Sequence, residues 1–388
     1  MTEKNGIIQS FMTDEMFAAV VKIFGPPRYF ISMILIRIVF TWSHSFGQLK
    51  YLPEEDYRIW RSSMLSMLKE HYQTVCVIRV KPVVYAFALA RIDVIRKTED
   101  NDRTSPVVIL CVKNDLKRIQ MLVGHYRKLG IKRFAFLDNG SDDGTYEWLL
   151  EQRDTDLYRC FDKYRTAVKE GWINRIASYY GFDRWLILTD SDELVIYEGM
   201  ETHSLEEVVR YGIMHGIKRF KGITLDTYAR GKMFDKAENI QKEYCWIDSD
   251  SYHEVNRRLG KTVMKMYIGG PRYRLMHSDV PLSKFPLLYF EKGTVSDEAH
   301  FQYPHEGTAN APCHLGILHY KFIDTDLQEF EKRSEKGSGF YKGGVHYIQY
   351  LEFYRSDEER SLMYEGSIQF KDSGDLEKIE FIKPIHFE

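Results

Sequence analysis

The feature that most constrains this chain is a regular alternation that begins near residue 107. VVILCV (107–112) is a short, continuous apolar run, the pattern of a strand covered on both faces. Leu116, Ile119, Leu122, Tyr126 and Leu129 then recur at helical spacing, with Asp115 at the N-cap position and Gly130 where the helix would end. RFAFLD (133–138) is the next strand and DGTYEWLL (143–150) opens a helix. Val168, Trp172, Ile176 and Tyr179 mark another helix before the strand RWLILTD (184–190), and Ser204 with Glu207 makes a capping box ahead of one more. Strands and helices alternating at this spacing need crossover connections, so the expected fold class is α/β, a mostly parallel twisted sheet flanked by helices. Ligands of such sheets bind beyond the carboxyl ends of the strands. Both acidic clusters of this region, 138–143 and 190–193, fall at strand ends.

The first cluster, LDNGSDDGT (137–145), is a polar turn that can present a carboxylate to a ligand. Any strand-to-helix turn favours Asn, Gly, Ser and Asp, so the turn alone is weak evidence of function. The second, TDSDE (189–193), is more specific because it follows a buried strand some 50 residues beyond the first Asp. Asp190 and Asp192 stand within reach of one hard divalent cation, Mg²⁺ or Mn²⁺, whose remaining positions suit diphosphate oxygens and water.

Composition limits the alternatives. A formal net charge of −2 gives no electrostatic reason for nucleic-acid binding. Aromatic residues reach 14%, which suits stacking on sugar rings, although most would serve a core equally well. Cys76, Cys111, Cys160, Cys245 and Cys313 are odd in number and scattered, which points to a reducing, cytoplasmic setting. The start of the chain does not read as a signal peptide. The most apolar stretch, YFISMILIRIVFTW (29–42), is too short and too charged to span a bilayer. It reads as a buried helix, or as a segment lying peripherally on the inner face of a membrane. Tyr57, Trp60, Met64, Leu65 and Leu68 mark a helix after Pro53, residues 74–80 and 83–95 lean to strand, and KTEDNDRTSP (97–106) reads as a linker. The expected organisation is an N-terminal α+β extension of unknown role over 1–104, a main domain over 105–350 and a C-terminal extension over 351–388.

VILCVKNDLKRIQMLVGHYRKLGIKRFAFLDNGSDDGT and GWINRIASYYGFDRWLILTDSDELVIY (171–197) together resemble the opening blocks of the family-2-like glycosyltransferases of GT-A type. GGPRYRLMHSDVPLSKFPLLYFEKG (269–293) and HLGILHYKF (314–322) resemble the C-terminal blocks of bacterial members that build surface polysaccharide or lipopolysaccharide. Asp115 stands where that family more often has Glu. The resemblance implies transfer of a sugar, with inversion, from a nucleoside-diphosphate sugar donor to a hydroxyl of a glycan or lipid-linked acceptor. It also implies roles. Asp138 would contact the nucleotide, Lys113 and Asn114 would line the base pocket, and Asn139, Asp142, Trp172 and Asn174 belong to the same nucleotide-sugar site. Asp190 and Asp192 would hold metal and diphosphate, Glu193 would support their loop, and His319 would complete the metal site. Arg272 and Arg274, with Lys284 following, could stabilise a departing diphosphate or a phosphorylated or lipid-linked acceptor, or could sit on an ordinary surface hairpin. Candidate bases for the acceptor hydroxyl are His277, Asp279, Glu298, His300 and His305, and nothing in the sequence chooses among them. Two other functions share these features. A nucleotidyltransferase would normally carry a Gly-rich basic loop after the first strand, where this chain has VKNDLKR. A non-catalytic assembly subunit would not need both acidic clusters intact.

Overall fold

The computed structural model describes residues 28–73, 77–99, 102–259, 261–335 and 344–387. Residues 1–27 and Cys76 lie outside the described residues. In chain order the strands are β1 (Asp93–Arg96), β2 (Val107–Val112), β3 (Phe134–Asp138), β4 (Thr155–Arg159), β5 (Arg184–Leu188), β6 (Glu193–Ile196) and β7 (Arg219–Asp226). There follow β8 (Trp246–Asp248), β9 (His253–Leu259), β10 (Thr262–Ile268), β11 (Ser283–Phe290), β12 (Val295–Glu298), β13 (Phe301–Tyr303), β14 (Cys313–His319) and β15 (Ser367–Gln369). Nine of them form one sheet in the order β1-β4-β3-β2-β5-β11-β7-β14-β6. β2, β3, β4, β5, β7 and β14 run one way, and β1, β6 and β11 are antiparallel to their neighbours. This is the mainly parallel, helix-flanked α/β sheet that the alternation implies.

Both faces of the sheet are covered, and side-chain alternation divides its residues between two cores. Val108, Leu110, Val112, Phe134, Phe136 and Ile187 enter a core with the helices Leu116–Lys128 and Leu205–Met214. Val107, Ile109, Ala135, Leu137 and Leu186 enter the opposite core with Ile36, Phe40, Trp60, Val84, Phe87, Trp172 and Ile176. A period of two along each strand sends successive residues to opposite faces, so a strand buried on both faces is apolar throughout. The helix Thr166–Ser178 lies between the sheet and the N-terminal helices, and every residue from Val168 to Ser178 is buried.

Residues 77–89 correct the strand reading of this region, because Val77–Leu89 is a helix with Pro82 inside it, and only Asp93–Arg96 is a strand. Its Val and Phe residues have strand propensity, but burial against three helices outweighs a preference worth only tenths of a kcal/mol per residue. Arg28–Phe46 is a helix that buries Ile36 and Phe40 and exposes Ile38, Trp42 and Phe46. Among the described residues no helix is long and apolar enough to cross a membrane. GGPRYR is not a hairpin, since Gly270–Met276 forms a helix with Pro271 in its first turn. Beyond residue 356, β15 pairs with β8, and Leu376, Ile379 and Ile382 return to the first core.

Candidate active site

The parallel strands end along one edge, and a cleft of about 1010 Å³ opens there. Its walls include Lys113, Asn114 and Asp115 after β2, Asn139 after β3, residues 190–193 between β5 and β6, His319 at the end of β14, and Arg272 and Lys284. The turns after β2 and β3 are latched to each other. Asn114 holds a left-handed φ of 52°. Its side-chain amide donates to Asp142 at 2.7 Å, and its oxygen accepts from the Asp142 amide at 2.9 Å. Its own backbone N–H donates to Ser141 Oγ at 3.0 Å.

Residues 190–193 form the centre of the cleft. Asp190 accepts from Lys169 Nζ at 2.7 Å and faces Lys284 Nζ at 3.3 Å. Burial alone would raise its carboxyl, but the two ammonium groups outweigh burial and hold it below the ordinary carboxylate range. Lys284 also donates to Glu193 at 2.5 Å. Ser191 Oγ donates to Asp115, whose other oxygen meets Arg118 at 3.3 Å. Asp192 lies 3.2 Å from His319 Nε2 and 3.9 Å from Lys321 Nζ. Burial opposes its charge as well, yet His319, Lys321 and Arg118 keep it well below the usual range.

Strand register explains why His319 stands there. It pairs with Asp226 of β7 on one side and Glu193 of β6 on the other. Its neighbours Leu318 and Tyr320 are buried in the core, so alternation turns the imidazole into the cleft. Asp226 accepts from His319 Nδ1 at 2.6 Å and from Arg272 Nε at 2.6 Å. Burial would lower the imidazole's pKa, but the Asp192 and Asp226 carboxylates raise it. With Nδ1 anchored on Asp226, Nε2 is aimed at Asp192, the orientation a metal-ligating imidazole takes from a carboxylate behind it. Asp192, Glu193 and His319 offer ligand atoms within 4.8 Å of one another. This carboxylate and imidazole set fits a divalent cation.

The other expected residues divide clearly. Lys113, Asn114, Asn139, Asp190, Arg272, Glu298 and His300 border the cleft. Asp142 is exposed on the latched turn beside it. Asp138 is fully buried at the end of β3 and is not on the cleft wall. Its carboxylate accepts from the Gly140 amide at 3.1 Å, the Ser141 amide at 3.2 Å and Arg159 Nε at 3.2 Å. Trp172 is buried in the second core, and Asn174 ties its helix to Ser296, accepting from the Ser296 amide at 2.9 Å. Arg274 turns away from the cleft, to Asp248 at 3.1 Å and over the Tyr364 ring. Asp279 and His277 are exposed and off the cleft wall, and His305 packs beside Asp297. His300 Nδ1 meets the Ser283 carbonyl at 3.1 Å, and burial, reinforced by Lys284, holds its pKa well below the usual value. Lys169, Glu170, Lys321 and Arg118 escaped the sequence reading. Arg118, Lys169 and Glu170 lie on helices and Lys321 follows β14, and only the fold brings their charges to the cleft.

No family model matches the chain, and no curated protein matches it. Among solved structures it is similar to glucosyl-3-phosphoglycerate synthase from Mycobacterium tuberculosis in complex with phosphoglyceric acid, at 15% identity and a TM-score of 0.23, over 31% of this chain and 44% of that one. It is similar to TarS from S. aureus at 10% identity and a TM-score of 0.27, over 65% and 72% of the two chains. UTP-bound UGPase from Acinetobacter baumannii is similar at 10% identity and a TM-score of 0.28, over 66% of this chain and all of that one. The chain thus spans under half the length of the first of these. Likeness at this level assigns no activity.

Proposed function

We propose that the protein is a glycosyltransferase that binds a nucleoside-diphosphate sugar in this cleft and transfers the sugar to a hydroxyl. One observation carries the proposal. Four carboxylates, Asp190, Asp192, Glu193 and Asp226, meet five cations, Arg118, Lys169, Arg272, Lys284 and Lys321, around residues 190–193 at the carboxyl edge of the sheet. Interleaved charge of both signs suits a diphosphate together with a divalent cation, whereas a site of one sign would suit only one of them. Asp192 and His319 would hold Mg²⁺ or Mn²⁺, with Asp190 as the further ligand expected from the sequence. The cation would supply Lewis-acid stabilisation of the departing diphosphate.

The chain's own residues provide the rest. Lys169 and Lys284 are fixed by Asp190 and Glu193, so their charges are in place before the bond breaks and need no reorganisation. A cation there would be held by His319 through Nε2, with Asp226 keeping Nδ1–H oriented behind it. Glu298 and His300, which both border the cleft, are the proposed bases for the acceptor's proton, and burial favours the neutral imidazole of His300. Support for surface-glycan assembly, and for the nature of the acceptor, comes from the sequence resemblance alone.

A panel of nucleoside-diphosphate sugars, incubated with Mn²⁺ or Mg²⁺ and followed by release of nucleoside diphosphate, tests the proposal. Cation-dependent hydrolysis of at least one donor is expected, and it should be abolished by EDTA. Release of pyrophosphate from a nucleoside triphosphate and a sugar phosphate would make the protein a nucleotidyltransferase instead. Binding of neither class would overturn the proposal.

A further inference from the structure

A second group of ligand-type side chains lies outside the acidic turn. His71, near the end of the helix Glu54–Gln73, reaches Asp297 of β12 with Nε2 2.9 Å from Oδ2. His305, in the loop after β13, brings its own Nε2 to 3.1 Å from the same oxygen. The two rings stand edge to face at 89°, with centroids 5.9 Å apart. All three side chains are at most 2% exposed. Their ligand atoms fall within 4.8 Å of one another. His305 Nδ1 and Asp297 Oδ1 have no hydrogen-bond partner. A buried carboxylate with an unused oxygen, faced by two imidazoles, is costly unless a positive charge joins it.

We propose that His71, Asp297 and His305 bind one divalent transition-metal cation of zinc type, which cross-links the N-terminal helices to the strand beside the cleft. Two imidazoles and a carboxylate favour a borderline cation such as Zn²⁺ over Mg²⁺, which takes oxygen ligands. Asp297 itself lines the cleft, the side from which a cation would enter and a water would complete the tetrahedron. Glu298 and His300 follow Asp297 within three residues, so the cross-link would also fix the bases proposed for the acceptor. The site is separate from the Asp192 and His319 pair, and it stands whether or not that pair binds metal.

Zinc bound per chain, measured by elemental analysis after dialysis against Zn²⁺, tests this. Wild type should lose one equivalent on His71→Gln or His305→Gln, while the double variant Asp192→Ala/His319→Ala should keep that equivalent. Zn²⁺ should also raise the Tm of the chelator-treated double variant by about 5 °C, as expected for a ligand that binds only the folded chain. If the histidine variants fail to fold, Co²⁺ added to the double variant decides. A visible ligand-field spectrum of tetrahedral intensity supports the site, and a spectrum like aqueous Co²⁺ overturns it. Zinc content unchanged by His71→Gln, or no zinc in the double variant, would also overturn it.

Discussion

Asp192 stays ionised although burial opposes it, because His319, Lys321 and Arg118 surround it. Asn at this position keeps the shape and removes the charge. On the proposed function Asp192→Asn should lower transfer by at least ~100-fold, the scale of losing one preorganised electrostatic contact in a dry site. The circular dichroism spectrum should be unchanged, and measurable loss below tenfold would argue against the role. His125 presents the opposite case. Its Nε2 lies 2.7 Å from the Val195 carbonyl, and burial holds its pKa down to about 4. The unfolded chain, with an ordinary imidazole, takes a proton first as pH falls. Stability contributed by neutral His125 is therefore complete above pH ~6.5, is lost between about 6.5 and 4, and falls by roughly 3 kcal/mol at most. Urea unfolding across that window should show the decline, and His125→Gln should make it shallower. A variant curve parallel to wild type would locate the pH dependence elsewhere.

The turn after β3 is an element whose chemistry begins with Asp138. Its carboxylate satisfies two turn amides and Arg159, and the same turn latches to Asn114 through Ser141 and Asp142. Asp138→Ala should cost about 1–3 kcal/mol through the donors left unpaired in a buried place. Nucleoside-diphosphate affinity should fall with it, since Asn139 and Asn114 lose their support. Melting curves and calorimetry on one sample check both, and an unchanged Tm would mean the carboxylate serves the ligand and not the turn. The helix Thr166–Ser178 meets the helix Val77–Leu89 at Gly171. A Cβ there would lie 2.5 Å from both Ala86 Cβ and the Val83 carbonyl oxygen, inside any tolerated contact. Gly171→Ala should separate the two helices and cost about 1–3 kcal/mol. A lower urea midpoint and faster proteolysis near residue 90 are the expected readouts, and a midpoint equal to wild type would refute the close contact.

At the scale of the whole molecule, the N-terminal helices cover one face of the sheet, so Trp172, Ile176 and Leu288 share a core with Phe40, Trp60 and Phe87. Arg175 is fully buried and donates to the Phe87 carbonyl at 2.7 Å and to the Gln48 carbonyl at 3.0 Å. A chain that begins at residue 93 would expose that apolar face and orphan that guanidinium. It should be recovered insoluble, or should bind a hydrophobic dye strongly, and a soluble monomer with the wild-type Tm would contradict this. How much of this was legible follows from the range of each interaction. Strands β2, β3 and β5 and the helix after β2 could be read because a doubly covered strand and an amphipathic helix write their periodicity into consecutive residues. The acidic turns could be read because a carboxylate at a strand end is itself local. Nothing local marks the Val77–Leu89 helix, whose β-branched residues take their conformation from the layers above and below. The same limit hides the cations. Lys169 comes from a helix and Lys321 from the loop after β14, far apart in sequence, and only the tertiary fold sets them beside Lys284 around residues 190–193. The sequence by itself determined the alternating fold and the two acidic strand ends, since both depend on neighbours a few residues apart. Tertiary structure decided that Asp138 faces its own turn, that Asp190 is held by lysines and that His319 meets Asp192, because those contacts depend on which strands lie side by side.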